Sequence, residues 1–335
     1  MGRALEWWKS RIRQASEFTA RCLDGRLVPY DDEALFDLSF NENPLRASPA
    51  ALREMARLLP YVHRYPNVSS PRLTAALAAR YSIPESCIVV GAGVTQLCSH
   101  IGYALLPPDG NVVLSQGALF SYFFTDSLFG TGPRVVPLLG DLRQDVPGFL
   151  RAMDEQTRLL FIASPNNPTG LEIGEQELRV ALETITPETV LALDQAYIHY
   201  REAYTDDRWP IAEAASRPNL IILRTFSKIH GLAGMRVGFA VCAPPLAERI
   251  RTVQRHMDPS TVTLLSEGGA MAALSDQEHF DQSRQHVLRE RAEALAALRR
   301  HGIACTESQA NFLFVNVGNC EDEILKTSRQ GGFLV

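Results

Sequence analysis

Short apolar runs recur along the middle of this chain, and helix-forming stretches separate them. The runs include residues 87–90, 159–163, 190–193 and 220–223. Each run is roughly five residues long and shows no alternation of polar and apolar residues, which indicates strands buried on both faces. Strands of this kind, separated by helices, form a mostly parallel sheet that helices cover on both sides. The chain is therefore predicted to have an α/β fold.

The length of the chain indicates more than one domain. A chain of 335 residues, 46% of them hydrophobic, can bury a large core. We predict an N-terminal arm (1–40), a large domain (41–243) and a small domain (244–335). The arm is expected to begin with an amphipathic helix. The small domain is expected to contain strands at 304–307 and 311–317.

Charge and cysteine usage exclude several classes of function. The formal net charge is -5 and the charged residues form no basic run, which argues against a nucleic-acid partner. No apolar run is long enough to cross a bilayer, so no membrane partner is expected. The six cysteines contain no C-x-x-C pair, which predicts neither a metal site nor a disulfide framework. A cytoplasmic location is the resulting expectation.

A glycine-rich loop at 223–238 places one lysine, Lys228, among groups that suit a phosphate. A lysine amine becomes a nucleophile only where its pKa is lowered or where it is held as an imine. Thr225 and Ser227 precede it and Arg236 follows it. Hydroxyls and a guanidinium fork are the groups that bind phosphate well. A surface turn beside an unrelated arginine is the alternative for this loop alone.

A second phosphate signal lies at the start of a predicted helix. Ala92, Gly93 and Val94 follow a short apolar strand and open this helix. The free backbone N–H groups and the partial positive charge of a helix N-terminus bind anions. A single G-x-G is a weak signal, and it gains weight because the lysine loop also favours a phosphate.

Polar residues follow two further predicted strands. Asn167 stands in a P-N-N-P-T-G turn at 165–170, and Asp194 ends the apolar run 190–193, with Tyr197 three residues later. A carboxylate at the end of a buried strand is costly unless it meets a positive partner. A protonated ring nitrogen of a bound cofactor would be such a partner.

Together these motifs resemble the fold-type I pyridoxal-phosphate (PLP) enzymes. The closest resemblance is to the histidinol-phosphate aminotransferase-like branch of the class I and II aminotransferases. It is carried by N-E-N-P at 41–44, by P-N-N-P-T-G, by the D-x-A-Y that begins at Asp194, and by S-K-x-x-G-L-A-G-x-R-x-G at 227–238. The resemblance extends over about residues 38–335. It implies a large domain with a mostly parallel sheet, a smaller α+β domain, PLP as cofactor and a homodimer.

The resemblance also implies a role for each matching residue. Lys228 would hold PLP as a Schiff base and act as the catalytic acid and base. Asp194 would pair with the ring nitrogen, and Asn167 and Tyr197 would face the phenolic oxygen. The residues assigned to the cofactor phosphate are Ala92, Gly93, Val94, Thr225, Ser227 and Arg236.

Aromatic residues supply two further expectations. Phe120 falls where the family places the aromatic residue that covers the pyridine ring, whereas Tyr122 and Phe123 are interpreted as core packing. Tyr65, in R-Y-P, would reach the cofactor phosphate of the other subunit. An ordinary turn tyrosine is the alternative for Tyr65.

The sequence departs from the family pattern in three places. His230 stands where an apolar residue is usual and is interpreted as a packed or solvated side chain. Gln195 replaces the glutamate of D-E-A-Y. The sequence stops within an apolar segment at 331–335, before the arginines that the family uses to bind substrate, which predicts a chain truncated at its C-terminus.

These observations predict a PLP-dependent aminotransferase acting on an amino acid or an amino-acid-derived amine. The alternative is a PLP-dependent decarboxylase, elimination and cyclisation enzyme, or oxidase on the same fold. A third hypothesis, a ligand sensor without catalytic activity, is disfavoured because the N-terminal arm is too short for a DNA-binding domain.

Overall fold

In a computed structural model of the protein, residues 36–118, 121–122, 132–204 and 210–335 are described. The predicted N-terminal helix lies outside these residues. The chain forms two compact units. One unit spans Glu42–Val315, and the other combines Asn316–Val335 with residues 36–41. The predicted boundary between residues 243 and 244 stays a prediction.

The described strands form two sheets. In the smaller unit, two strands pair in parallel, and Phe36 stacks on Phe333 at 5.9 Å between ring centroids. The strands of the larger unit form a single seven-stranded sheet. The strands in chain order are β1 (Phe36–Asp37), β2 (Ile88–Gly91), β3 (Asn111–Ser115), β4 (Arg134–Val136), β5 (Thr157–Ala163), β6 (Val190–Asp194), β7 (Leu220–Thr225), β8 (Gly238–Cys242) and β9 (Phe333–Leu334).

The large sheet has the order β2-β8-β7-β6-β5-β3-β4. Strand β8 runs antiparallel to both of its neighbours, and the other pairs are parallel. This confirms the predicted mostly parallel α/β sheet. Strand β4, at the edge of the sheet, has only three residues.

The core lies on both faces of this sheet. Successive residues of a strand point to opposite faces, so a strand buried on both sides feeds two cores. Leu220 and Ile222 of β7 belong to one buried cluster, whereas Ile221 and Leu223 belong to the other. This explains why the strands read as unbroken apolar runs.

Helices cover the sheet, and local signals fix several of their ends. Ser48 caps the first helix, since its hydroxyl accepts from the backbone N–H of Ala51, and Pro49 occupies the first helical position. No described helix combines the length and apolar character needed to cross a membrane. The helices are α1 (Pro49–Leu58), α2 (Pro71–Tyr81), α3 (Gly93–Leu105), α4 (Val146–Ala152), α5 (Glu175–Thr184), α6 (Ile211–Ala214), α7 (Pro244–Met257), α8 (Leu264–Leu274), α9 (Gln277–Arg300) and α10 (Glu321–Gln330).

The two strands predicted at 304–307 and 311–317 are wrong. A single isolated antiparallel bridge joins the two segments. The backbone between them is held elsewhere, because the N–H of Gln309 donates to the carbonyl of Gly170 at 2.7 Å. Because the backbone of Gln309 is hydrogen-bonded to the turn after β5, the segments on either side of it do not continue as two paired strands.

Candidate active site

The sheet brings the ends of three parallel strands to one edge. Ala163 of β5 pairs with Asp194 of β6, and Asp194 pairs with Leu223 of β7. The residues that follow these positions therefore leave the sheet on the same side. Ligands bind at the carboxyl edge of such sheets. Asn167 and Lys228 both lie in segments that leave from this edge.

Lys228 is mostly buried in the loop after β7. Burial lowers the pKa of its amine to about 8, an effect that the carboxylates of Glu42 and Asp194 partly oppose. Its Nζ lies 5.3 Å from the ring centroid of Tyr197. A substantial fraction of the amine is therefore neutral near physiological pH, as a nucleophile or general base requires.

Asp194 ends β6 and is 4% exposed. Burial raises the pKa of its carboxyl group, and a hydrogen bond from Tyr122 works in the opposite direction. The Tyr122 hydroxyl donates to Oδ2 at 2.6 Å, and the backbone N–H of Ala196 donates to Oδ1 at 2.9 Å. A carboxylate has about four lone-pair positions. These two bonds leave one lone pair on each oxygen for a further donor.

Asn167 and Tyr197 meet although they come from different strands. The Asn167 amide nitrogen donates to the Tyr197 hydroxyl at 3.4 Å. The Tyr197 ring packs edge-on against Phe312, with 5.1 Å between ring centroids. Two side chains that can both donate a hydrogen bond thus lie next to each other, and the Tyr197 ring lies near Lys228.

The start of α3 and the lysine loop together form a cradle. Gly93 has φ +80°, and a Cβ added to it would lie 2.7 Å from Nη2 of Arg236. Arg236 itself has φ +50°. A Cβ at Gly238 would lie 3.3 Å from the backbone nitrogen of Val94. A guanidinium and a helix N-terminus therefore face the same small space, an arrangement that binds phosphate.

The hydroxyl residues of the lysine loop lie beside this cradle in the chain. Thr225 and Ser227 are both buried, and the Ser227 backbone N–H donates to the Thr225 hydroxyl at 3.0 Å. An amine, a buried carboxylate and a phosphate cradle therefore occur together at one edge of the sheet. This set fits a flat, phosphorylated aromatic aldehyde such as PLP.

Some predicted site residues are not brought into this arrangement. Phe120 and Phe123 lie outside the described residues. Tyr65 is 95% exposed. The backbone N–H of Ala92 donates to the Gln96 side chain at 2.7 Å. The predicted roles of Phe120, Tyr65 and Ala92 stay predictions.

Sequence reasoning missed the contact of Tyr122 with Asp194. Tyr122 does pack in the core as expected, because its ring stacks on Phe161 at 4.5 Å with an interplanar angle of 3°. Its hydroxyl nevertheless reaches a residue 72 positions away in sequence. No local signal marks a contact of that separation.

Gln195 is also more involved than the sequence indicated. Its side-chain oxygen accepts two hydrogen bonds from the fully buried guanidinium of Arg224, at 2.7 and 3.0 Å. The positive charge of Arg224 opposes the rise that burial causes in the pKa of Asp194. Gln195 therefore lies next to a charge that acts on the site.

His230 is buried and its ring lies 5.0 Å from that of Phe226, which confirms a packed histidine. Within the described part of the chain, no group of three or more histidine, cysteine or acidic side chains is arranged to hold a metal ion.

Comparisons with known proteins show which family of sequences the chain resembles over most of its length. The sequence model of the family "Aminotransferase class I and II" matches residues 33–329. The chain is 33% identical over 288 residues to an aromatic amino acid aminotransferase of Cutibacterium acnes, covering 86% of this chain and 80% of the relative. It is 34% identical over 301 residues to a histidinol-phosphate aminotransferase of Symbiobacterium thermophilum, covering 90% of this chain and 81% of the relative.

A solved structure shares the fold. The histidinol-phosphate aminotransferase from Sinorhizobium meliloti, crystallised in complex with pyridoxal-5'-phosphate, superposes with a TM-score of 0.81 at 25% identity. The match covers 89% of this chain and 81% of that chain.

Proposed function

The chain belongs to the aminotransferase class I and II family, and we propose on this premise how its site binds PLP and transfers an amino group. It is a PLP-dependent aminotransferase of the histidinol-phosphate aminotransferase-like branch. The observation that carries the proposal is the mostly buried Lys228 amine, with a pKa near 8, at the same sheet edge as Asp194 and the Arg236 cradle.

Lys228 is the proposed catalytic residue. When bound, PLP supplies an aldehyde that links to amines and a ring that accepts the electron pair released at the substrate's α carbon. Lys228 Nζ would hold the aldehyde carbon of bound PLP. Its neutral amine would also move the proton between the substrate's α carbon and that aldehyde carbon.

Asp194, Asn167 and Tyr197 hold the proposed cofactor ring. The buried carboxylate of Asp194 keeps the proton on the ring nitrogen, because an anion in a low-dielectric site strongly favours a cationic partner. Asn167 and Tyr197 direct their donors to the phenolic oxygen. Phe120 is proposed, from the resemblance alone, to cover the ring.

The phosphate is proposed to lie between the start of α3 and the lysine loop. Arg236 supplies the planar charged fork, and the N-terminus of α3 supplies N–H groups with partial positive charge. The proposed phosphate ligands are Ala92, Gly93, Val94, Thr225, Ser227 and Arg236.

The names of the relatives narrow the substrate to two candidates. One relative is an aromatic amino acid aminotransferase and the other a histidinol-phosphate aminotransferase. We therefore propose that the amino donor carries a planar ring, either an aromatic side chain or the imidazole of histidinol phosphate.

A single-turnover assay tests this function. The PLP-loaded protein is mixed with phenylalanine, tyrosine, histidinol phosphate or aspartate, with Lys228→Ala as the matched control. Transamination predicts loss of the visible cofactor band and a carbonyl product by mass spectrometry for the ring-bearing donors. An amine, cyclic or oxygenated product would instead indicate one of the alternative PLP chemistries, and preference for aspartate would refute the substrate class.

A homodimer is part of the proposal. Tyr65 is 95% exposed, and the neighbouring Leu59 and Val62 are also more than half exposed. An exposed apolar stretch of this kind suits an interface with a second copy, in which Tyr65 reaches the other subunit's cofactor. Sedimentation analysis should show a dimer, and a monomer at micromolar concentration would contradict it.

A further inference from the structure

The contact between Tyr122 and Asp194 lies beneath the part of the site that would hold the cofactor ring. Tyr122 is 1% exposed, and its hydroxyl donates to Asp194 Oδ2 at 2.6 Å. Such a short bond to a carboxylate is charge-assisted and strongly directional. The hydroxyl is fixed there because the Tyr122 ring lies flat on Phe161 of β5.

We propose that Tyr122 is a positioning residue that holds Asp194 ionised and correctly oriented beneath the cofactor's ring nitrogen. This inference rests on the proposed function, since it assigns Asp194 to that nitrogen. It goes beyond the family motifs, because Tyr122 belongs to none of those described above.

The hydrogen bonds to Asp194 fix the orientation of its carboxylate. Asp194 Oδ1 is held by the backbone N–H of Ala196 and Oδ2 by Tyr122, so both oxygens are fixed by rigid donors. The carboxylate plane therefore cannot rotate without breaking a bond. One lone pair on each oxygen remains for a further donor.

The surroundings of Asp194 also decide whether its carboxyl group is ionised. Asp194 is buried, and burial favours the neutral acid. Four groups act on its carboxylate from different elements. Tyr122 and the backbone N–H of Ala196 donate hydrogen bonds, and Lys228 and Arg224 add positive charge. The buried thiol of Cys98 on α3 also faces Asp194, and burial, followed by the Asp194 charge, raises the pKa of that thiol well above its usual value.

Removing the Tyr122 hydroxyl should therefore make the ionised form of Asp194 less stable without disturbing the fold. Tyr122→Phe deletes one oxygen atom and keeps the ring on Phe161. Tyr200→Phe is the matched control, because Tyr200 is equally buried but its hydroxyl has no hydrogen-bond partner in the described structure. Neither position carries a group assigned to catalysis.

The expected result has two parts. Tyr122→Phe should weaken PLP binding on the order of 10-fold, since a hydrogen bond to a charged group is lost. The pH midpoint of the visible absorption band should rise by about half a unit or more. If the ring nitrogen holds its proton less firmly, less positive charge lies near the Lys228 nitrogen. The pKa of the Lys228 nitrogen then rises, and the pH midpoint rises with it.

A double variant shows whether Tyr122 acts through Asp194. In an Asp194→Asn background, Tyr122→Phe should cause no further change in PLP affinity or in the pH midpoint. The inference is overturned if Tyr122→Phe matches wild type or Tyr200→Phe in both readouts. It is equally overturned if the effect persists in full without the Asp194 carboxylate.

One measurement on the wild-type protein without cofactor separates this inference from the proposed function. A phenolic proton shared with a carboxylate over 2.6 Å should give a slowly exchanging, downfield proton NMR signal that disappears in Asp194→Asn. Its absence overturns the inference even if PLP binds and Tyr122→Phe does not fold. Its presence in a protein that fails to bind PLP would refute the proposed function alone.

Discussion

Gly93→Ala is the perturbation that most sharply tests the proposed phosphate cradle. An alanine Cβ at this position would lie 2.7 Å from Arg236 Nη2 and 3.3 Å from its Cζ. The first distance is too short for a carbon atom and the second is tight, so the guanidinium of Arg236 must shift. The backbone must also hold φ +80° with a side chain attached.

The two effects act on different quantities. A left-handed conformation costs a non-glycine residue about 1–2 kcal/mol, which lowers the stability of the folded protein with or without ligand. Loss of a charge-assisted hydrogen bond from Arg236 to phosphate costs about 1.5–3 kcal/mol of binding free energy. From this second effect we expect a net loss of about 2 kcal/mol, which corresponds to roughly 30-fold weaker PLP binding.

The assay compares PLP with pyridoxal, which has the same ring and aldehyde but no phosphate. Gly93→Ala should weaken PLP binding strongly and leave pyridoxal binding within about threefold of wild type. Gly234→Ala is the matched control, because this exposed glycine lies in the same loop and nothing lies within 4 Å of an added Cβ. Equal loss of affinity for both ligands, or no loss for PLP, would refute the cradle.

Three further predictions concern Lys228, Tyr197 and Gln195. The rate of PLP uptake by the cofactor-free protein should rise about 10-fold per pH unit below pH 8 and then level off, because only the unprotonated Lys228 amine attacks an aldehyde. A rise that continues to the ordinary lysine pKa of 10.5 would show that burial does not lower the pKa of Lys228. Tyr197→Phe should raise the pH midpoint of the visible band by about half a unit, because a donor to the phenolic oxygen is lost, and an unchanged midpoint in a pH titration would contradict this role. Gln195→Glu places a carboxylate next to the Arg224 guanidinium and offsets the positive charge that helps to keep Asp194 ionised. The affinity for PLP should therefore fall about threefold in a PLP titration. Tighter binding of PLP would count against this reasoning.

The sheet was predictable because its central strands are short apolar runs in the sequence. The strand β6 is apolar at four successive positions and ends in Asp194, and all of these residues are buried. A run of that kind has few alternatives in a chain of this length. The same reasoning predicted the end of β5, whereas β7 continues two residues beyond its predicted run, to Thr225. It also predicted which loops leave from the same edge of the sheet.

Helix α8 was not predicted, and its packing explains why. It contains adjacent glycines, Gly268 and Gly269, which disfavour a helix when judged from local propensity. In the structure, an added Cβ at Gly268 would overlap Leu58, and one at Gly269 would lie 3.0 Å from the sulfur of Met55. The glycines allow α8 to pack closely on α1, and this tertiary reason is invisible in a local pattern.

The site likewise contains residues that the sequence predicted and contacts that it did not. Lys228, Asp194 and Asn167 stand in recognisable motifs, and the fold brings their strand ends together. Tyr122 and the pairing of Gln195 with Arg224 depend on contacts between distant positions. Such contacts follow from the three-dimensional register of the sheet and leave no periodic trace in the sequence.

Reductive trapping tests the central claim most directly. The chain contains only three lysines, Lys9, Lys228 and Lys326, so a lysine-linked cofactor can be located without ambiguity. The PLP-loaded protein is reduced with borohydride, digested and analysed by mass spectrometry. The account predicts one pyridoxyl phosphate group per chain, on Lys228. Modification of Lys9 or Lys326 instead, or no stoichiometric modification, would contradict it.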